Sequence, residues 1–407
     1  MTINANRLLS RLAQLNKIGA LPGGGVRRLA LTDADKEARD LLVAWMKEEG
    51  LEVIIDQVGN TYGVRAGSSK TPALAIGSHL DTVSTGGYYD GTYGVLAGLE
   101  VISVFNENNI KTNRPLVLIN FTNEEGNRFS PDMMGSLVVS KPDLLADVWL
   151  AEALDGSGAT VKSELERIGY LGTVAFGSVA ISHYLELHIE QGPVLETKQV
   201  NIGVVEKVQG IYWTEYILRG QAAHAGTTPL SLRKDAGITA ARVNLFLREL
   251  AEEIPGQLGT IGLMEFYPNV INVVPERVRF VTDLRNPDGS RLSAAQKKLD
   301  LFVTDWCKTE SIEVSRNEMV RLAPVDFSVE VLDRIAAACD QLKFSSTRMV
   351  SGAGHDAQMM AAVSKAAMIF VPSAGGISHN VKEHTDPEDL GRGAEVLLQT
   401  VLGILQE

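Results

Sequence analysis

The stretch PALAIGSHLDTVSTGGYYDGTYGVLAGLEVISVFNENNIKTNRPLVLINFTNEE, residues 72–125, decides the fold. It opens on an apolar run ending at His79, passes through a segment rich in Val, Leu and Ala from about Gly94 to Phe105, and returns as a second apolar run closed by acids. Two uninterrupted apolar strands around a helix predict a βαβ unit whose parallel strands are covered on both faces. Sites in open α/β sheets form beyond the carboxyl ends of such strands, so His79 and the pair Glu124 and Glu125 are expected along one rim.

Upstream, TDADKEARDLLVAWMKEEG (32–50) predicts a helix, with Thr32 as N-cap, Asp35 three positions later and Gly50 as the stop. Ala34, Ala38, Leu41, Leu42 and Trp45 form its expected buried stripe. LEVIIDQ and TYGVRAG alternate around Gly59-Asn60 as a hairpin. From about Ile211 the texture changes: WTEYILRG and RVRFVTDLR alternate like strands with one buried face, and a long helix from Lys234 to Glu252 lies between them. After Pro324, SVEVLDRIAAACDQL reads as a helix and AAMIFVPS as a buried strand, restoring the first texture. With 407 residues the chain exceeds the usual size of one hydrophobic core. The expected architecture is α/β: a split catalytic domain, 1–210 and 325–407, with a mixed central sheet flanked by helices, and an inserted α+β domain, 211–324.

Apolar residues make up 45% of the chain and charged ones 22%, so it is expected to fold throughout. The net charge of −12, without a Lys/Arg cluster in sequence, argues against nucleic acid and anionic membranes as partners. The opening MTINANRLLSRLAQL lacks a secretory apolar core, and no uncharged run reaches spanning length, so a soluble cytoplasmic enzyme is expected. Two cysteines, Cys307 and Cys339, without a CxxC pair point away from a thiolate site. Any metal is therefore to be held by nitrogen and oxygen.

His79, Asp90, Glu125, His188 and His379 each sit where a strand end or turn can present them to a common cleft, and their order points to a two-metal hydrolase. Two ions about 3.5 to 4 Å apart need a bridging carboxylate. Asp90, in the glycine-flanked turn YYDGTYG, is the best placed bridge. Asp81, two residues beyond His79 and on the same strand face, is expected to orient the imidazole. The neighbours Glu124 and Glu125 invite a division of labour, one binding metal and the other moving protons. Singly, a strand-end histidine is ordinarily structural, an EE pair a solvated loop, and Gly86, Gly87 and Gly91 turn glycines. Their combination argues otherwise, since acids beside apolar strands are costly to bury unpartnered.

Taken together, GSHLDTV with GGYYDGTYGVLAG, NEEGNRF, LELHIEQGPVLE, GQAAHAGTTPLSLRKDA, NVINVVPERVRFVTDLR, SGAGHDA and GISHN resemble the signature blocks of the amidase/hydantoinase/carbamoylase group within the zinc aminoacylase and carboxypeptidase superfamily. The resemblance runs nearly end to end. It implies a catalytic domain with a lid that also forms a homodimer, and two divalent ions, zinc or else manganese, cobalt or nickel. One ion would take His79 and His188, the other Glu125 and His379, with Asp90 bridging and Glu124 as general base. The implied reaction is C–N cleavage in a ureido compound bearing a carboxylate. Asn123 stands where an acid is common and Val381 where proline is frequent; His384 competes with His379, which the resemblance favours, leaving Glu383 to act from behind.

For the substrate, Arg285 offers a planar fork to a carboxylate, Asn272 a donor and an acceptor, and Gln191 a polar group suited to a ureido substrate. Gly352 and Gly354 would let backbone amides approach the ligand, while His355 and Asp356 read equally as structural. His224 reads by itself as a turn histidine capped near Thr227; the resemblance makes it the donor to the developing oxyanion, reaching across from a partner subunit. An N-carbamoyl-L-amino acid, β-ureidopropionate included, is the expected substrate. Allantoate is the near rival, an N-acyl amino acid or dipeptide hydrolase the next, and a silent metal-binding scaffold the last.

Overall fold

In the computed structural model, which describes residues 1–175 and 177–405, strand Ala73–His79 runs parallel to Leu116–Phe121, with Leu74 opposite Leu116 and His79 opposite Phe121. Every residue of both strands is buried. The helix between them, Thr92–Glu107, is buried from Thr92 to Phe105, the state expected of a helix apolar all round. Gly94 lets it approach the sheet: a Cβ there would lie 2.4 Å from the carbonyl oxygen of Leu187.

The sheet continues from Leu116–Phe121 through Thr61–Arg65 to Glu52–Ile55, both antiparallel. On the other side Ala73–His79 pairs in parallel with Ile181–Ile189, which pairs in parallel with Lys365–Val371, and Ile202–Val208 follows antiparallel. Four parallel strands thus end along one rim, which is what gathers side chains scattered over the sequence. Apart from the last two residues of Ile202–Val208, these elements belong to one compact unit, Met1–Glu206 with Asp326–Glu407.

Helix Asp33–Glu48 starts where expected, with Thr32 accepting from the Asp35 amide and Gly50 just beyond the end at φ +74°. Its buried stripe is rotated from the expectation. Ala34 and Leu41 are only half-buried, whereas Asp35, Arg39 and Met46 are buried with Ala38, Leu42 and Trp45. The reason is the ion pair of Arg39 Nε with Asp35 Oδ2 at 2.8 Å, which carries two charges inward together; Arg39 also donates to the Gly59 carbonyl and to Thr122 Oγ1.

The second unit, Lys207–Val325, is a four-stranded antiparallel sheet in the order Glu313–Leu322, Gly210–Arg219, Arg277–Asn286, Leu258–Tyr267. Helices Ala236–Glu253 and Gly289–Thr309 cover one face, where Leu218, Phe280 and Leu284 pack against Val243, Leu247, Leu299 and Val303. Alternation leaves Arg277, Arg279, Asp283 and Arg285 on the other face. A short ribbon pairs Val273 with His224 and Val274 with Ala223. Among the described residues no helix is long and apolar enough to cross a membrane.

Candidate metal centre and active site

The rim of parallel strands brings all five expected ligands together. Asp90 Oδ1 lies 3.1 Å from His188 Nε2 and 3.8 Å from His79 Nε2, while Asp90 Oδ2 lies 3.1 Å from His379 Nε2. His379 Nε2 is also 3.3 Å from Glu125 Oε2. The donors form two groups, His79 with Asp90 and His188, and Asp90 with Glu125 and His379, and within each the ligand atoms lie within 4.8 Å of one another. Donors bound to one tetrahedral ion at ~2.0–2.1 Å stand about 3.3 Å apart. The observed spacing fits that requirement, and Asp90 belongs to both groups through different oxygens.

The local chain explains the presentation. His79 Nδ1 faces the backbone carbonyl of Asp81 at 2.9 Å and His188 Nδ1 that of Ile189 at 2.8 Å, so each ring is held with its Nε2 toward Asp90. Gly91, at φ +61°, carries no Cβ because one would lie 2.4 Å from His79 Nε2 and Cε1. Glu383 holds the Asp90 turn from behind, accepting from the amides of Tyr89 and Asp90 and from Ser378 Oγ. Asn123 sits at φ +54°, a conformation asparagine tolerates, and donates to the carbonyls of Phe129 and Pro131; this kink swings Glu124 and Glu125 over the strand ends.

One expectation needs correction. The Asp81 carboxylate does not orient His79, since its nearest oxygen is 3.9 Å from Nδ1 and the backbone carbonyl takes that role. Its two oxygens instead accept from the amides of Glu124 and Glu125, each at 3.2 Å. Asp81 therefore positions the two glutamates.

Charge is concentrated here. Burial, with the charges of Asp356, Glu125, Asp81 and Asp90, holds the Glu124 carboxyl well above the usual range, and burial with Asp90 and Asp81 does the same to Glu125. Burial pushes His79 down to about 4 and Asp81 up to about 7. His188 goes the other way: against the cost of burial, its contact with Asp90 lifts it to about 9, and contacts with His188 and His379 hold Asp90 well below its usual value. Acids crowded against lone pairs in a buried cleft are what a divalent cation relieves, and the donor set of imidazoles and carboxylates suits zinc or a neighbouring transition ion. The residues present fit such ions.

Glu124 Oε2 lies 3.4 Å from His79 Nε2, beside the donor groups rather than in them. Gln191, at φ +58°, donates through Nε2 to Asp90 Oδ2 at 2.9 Å. His384 joins neither group; it lines a surface cavity with Glu196, Asp386 and Asp389. Gly352 is exposed at the end of strand Ser346–Ser351. His355 is buried, its ring centroid 4.7 Å from that of His188, and bonds Ser351 Oγ at 2.9 Å.

In the unit Lys207–Val325, His224 is exposed, and its Nδ1 accepts from the amides of Gly226 and Thr227 at 3.1 and 3.2 Å. An Nδ1 occupied as an acceptor puts the ring proton on Nε2, ready to donate. The ribbon pairing, with the Ala225 amide donating to the Asn272 carbonyl at 2.9 Å, brings Asn272 next to His224 across 48 positions of sequence. Arg285 Nε and Nη2 engage the carboxylate of Asp283, two residues away on the same strand face, at 2.8 to 3.1 Å.

Sequence reasoning missed Glu186. It is fully buried two residues before His188, accepts from Ser78 Oγ at 2.7 Å and from the Ala357 amide at 2.8 Å, and falls in a third donor group with His188 and His355. The i, i+2 spacing in LELH was the available signal, since it puts both side chains on one strand face.

Residues 75–403 match the family model of peptidase family M20/M25/M40. The chain is 39% identical over 402 residues to an N-carbamoyl-L-amino-acid amidohydrolase of Rhizobium meliloti, covering 98% of this chain and 96% of the relative. An allantoate amidohydrolase of Bacillus subtilis is 34% identical, with 96% of both chains covered. A crystal structure of an amidase of the hydantoinase/carbamoylase family from Burkholderia multivorans superposes with a TM-score of 0.95 at 40% identity, covering 100% of this chain and 99% of the other.

Proposed function

The chain belongs to peptidase family M20/M25/M40, with relatives in its hydantoinase/carbamoylase group, and from that premise we propose a metal-dependent amidohydrolase acting on an N-carbamoyl-L-amino acid. It cleaves a C–N bond of the ureido group and releases ammonia, carbon dioxide and the amino acid. The observation that carries this reading is the pair of donor groups sharing Asp90, with the Glu124 carboxyl beside them.

Two divalent ions, zinc or else manganese, cobalt or nickel, are assigned to His79, Asp90 and His188 and to Asp90, Glu125 and His379. When bound, they lower the pKa of water and polarise a carbonyl. Glu124 accepts the proton of the attacking water and delivers it to the leaving nitrogen, a task suited to a carboxyl whose pKa burial has already raised. The Nε2–H of His224 donates to the carbonyl oxygen as charge develops on it. Arg285 is assigned the substrate carboxylate, exchanging its contact with Asp283 for one with the ligand, and Gln191, Asn272 and the Gly352 backbone are assigned to substrate binding.

The unit Lys207–Val325 is assigned the lid and dimer-forming role. Its strand Leu258–Tyr267 lies at the sheet edge with Leu258, Leu263, Phe266 and Tyr267 exposed, which supports a homodimer. Cys307 and Cys339 are both free, in keeping with a cytoplasmic enzyme.

The test is ammonia release from N-carbamoyl-L-amino acids, β-ureidopropionate, allantoate and ureidoglycolate, with acetyl amino acids and dipeptides as controls, in protein loaded with zinc, manganese or cobalt. Turnover confined to the controls, or turnover that survives chelation, overturns the proposal. The Bacillus relative supports allantoate as the second reading, which prevails if allantoate has the highest kcat/KM.

A further inference from the structure

The face of the four-stranded sheet opposite its helices carries a cavity of ≈770 Å³ whose lining includes Arg219, Glu265, Tyr267, Asn269, Arg277 and Arg279. Three guanidinium groups meet there in a chain whose net charge is −12. Arg279 is neutralised, donating to Glu215 at 2.7 Å and to Glu265 at 3.1 Å. Arg219 and Arg277 are not. They stand directly opposite each other on adjacent strands, both exposed, and among the described residues neither forms an ion pair. Glu313, in register with Arg219 on its other side, makes no ion pair with it.

Like charges directly opposed across a strand pair are destabilising, and cross-strand Cβ atoms lie only ~4.5–5.5 Å apart. Such a spacing lets two planar forks converge on one multiply charged oxyanion. Arg277 is set for this, its guanidinium carbon 4.9 Å from the centroid of the Tyr267 ring, which fixes one flank of a group that lines the cavity. The Tyr267 hydroxyl and the Asn269 amide add donors to the lining.

We propose that this cavity binds a small oxyanion of charge two or more, a phosphate or a dicarboxylate, between Arg219 and Arg277. The site lies at the root of the ribbon that carries His224 and Asn272: Arg219 is followed by Gly220, whose amide donates to the Glu276 carbonyl at 2.6 Å, next to Arg277. A bound anion bridges the two strands from which that ribbon springs.

The experiment is isothermal titration of the full-length protein, metal-loaded and chelator-treated, with inorganic phosphate, succinate and acetate at constant ionic strength. Phosphate or succinate is expected to saturate one site per chain in both preparations, with acetate at least tenfold weaker. Arg219→Gln and Arg277→Gln, both exposed positions, are each expected to weaken that site at least tenfold. The proposal is overturned if no site saturates, if acetate binds equally well, if binding disappears on chelation, or if both variants bind like the parent.

Discussion

Asp81→Asn separates the two roles open to this residue. The side chain is buried, and its oxygens accept from the amides of Glu124 and Glu125 at 3.2 Å each, while His79 is held by the Asp81 backbone carbonyl, which the substitution leaves in place. Asparagine keeps one acceptor and turns its NH2 toward the other amide, so a charge-assisted hydrogen bond is lost and two donors collide. A buried bond of that kind is worth about 1.5–3 kcal/mol, or about a 10- to 150-fold change in rate or affinity where it sets geometry. Both glutamates depend on it. The expected result is a fall of that size in kcat/KM for ammonia release, with loss of the ion assigned to Glu125 and His379 and retention of the one assigned to His79 and His188. Metal content by elemental analysis, with kcat and KM measured at saturating metal, reads both effects. A variant with parental kcat/KM and two ions per chain refutes the reasoning; so does selective loss of the His79 ion, which would return Asp81 to an imidazole-orienting role.

Gly91→Ala forces a Cβ into the His79 ring at a positive φ that L side chains rarely adopt, so metal retention and turnover are expected to fall together; a fully loaded, active variant contradicts the packing argument. His224→Ala is expected to lower kcat by about 10²–10³ with unchanged metal content, as for the loss of one oxyanion donor, and an unaltered kcat removes His224 from the chemistry. Asp56, buried in the hairpin turn, is pushed by burial up to about 6 although it accepts from the Val58 and Asn60 amides, Asn60 Nδ2 and Tyr62 Oη. Because the folded pKa lies above the unfolded one, the folded state holds the extra proton between pH of about 4 and 6, and stability falls as pH rises through that window by on the order of 3 kcal/mol. Asp56→Asn has no such proton, so urea melts should show the parent losing stability relative to the variant from pH 4 to 6; a constant or opposite difference refutes it.

Among the candidate ligands, His79 and Glu125 were legible because they close apolar runs, and Asp90 because glycines flank it: a strand buried on both faces is recognisable from composition, and polar residues at its end stand out. Glu186 hid for the opposite reason, as an acid inside such a run, where LELHI reads as strand and its charge is satisfied by Ser78 and the Ala357 amide from distant sequence. The rotated stripe of helix Asp33–Glu48 has the same origin, since hydropathy treats Asp35 and Arg39 as surface residues and only their pairing makes burial affordable. His384 competed with His379 in the sequence, where the resemblance favoured His379; the chain path puts His384 in a different cavity.

By itself, then, the order of residues determined the strand–helix–strand grammar, the set of nitrogen and oxygen donors and the change of texture near Ile211, because period and composition act over a few neighbouring positions. Only the tertiary structure decided which oxygen of Asp90 meets which imidazole, that Asp81 serves two glutamate amides, that Asp283 engages Arg285, and that Asn272 stands beside His224. Those are angstrom-scale relations between segments tens to hundreds of residues apart, set by sheet register and loop path, which no local pattern encodes.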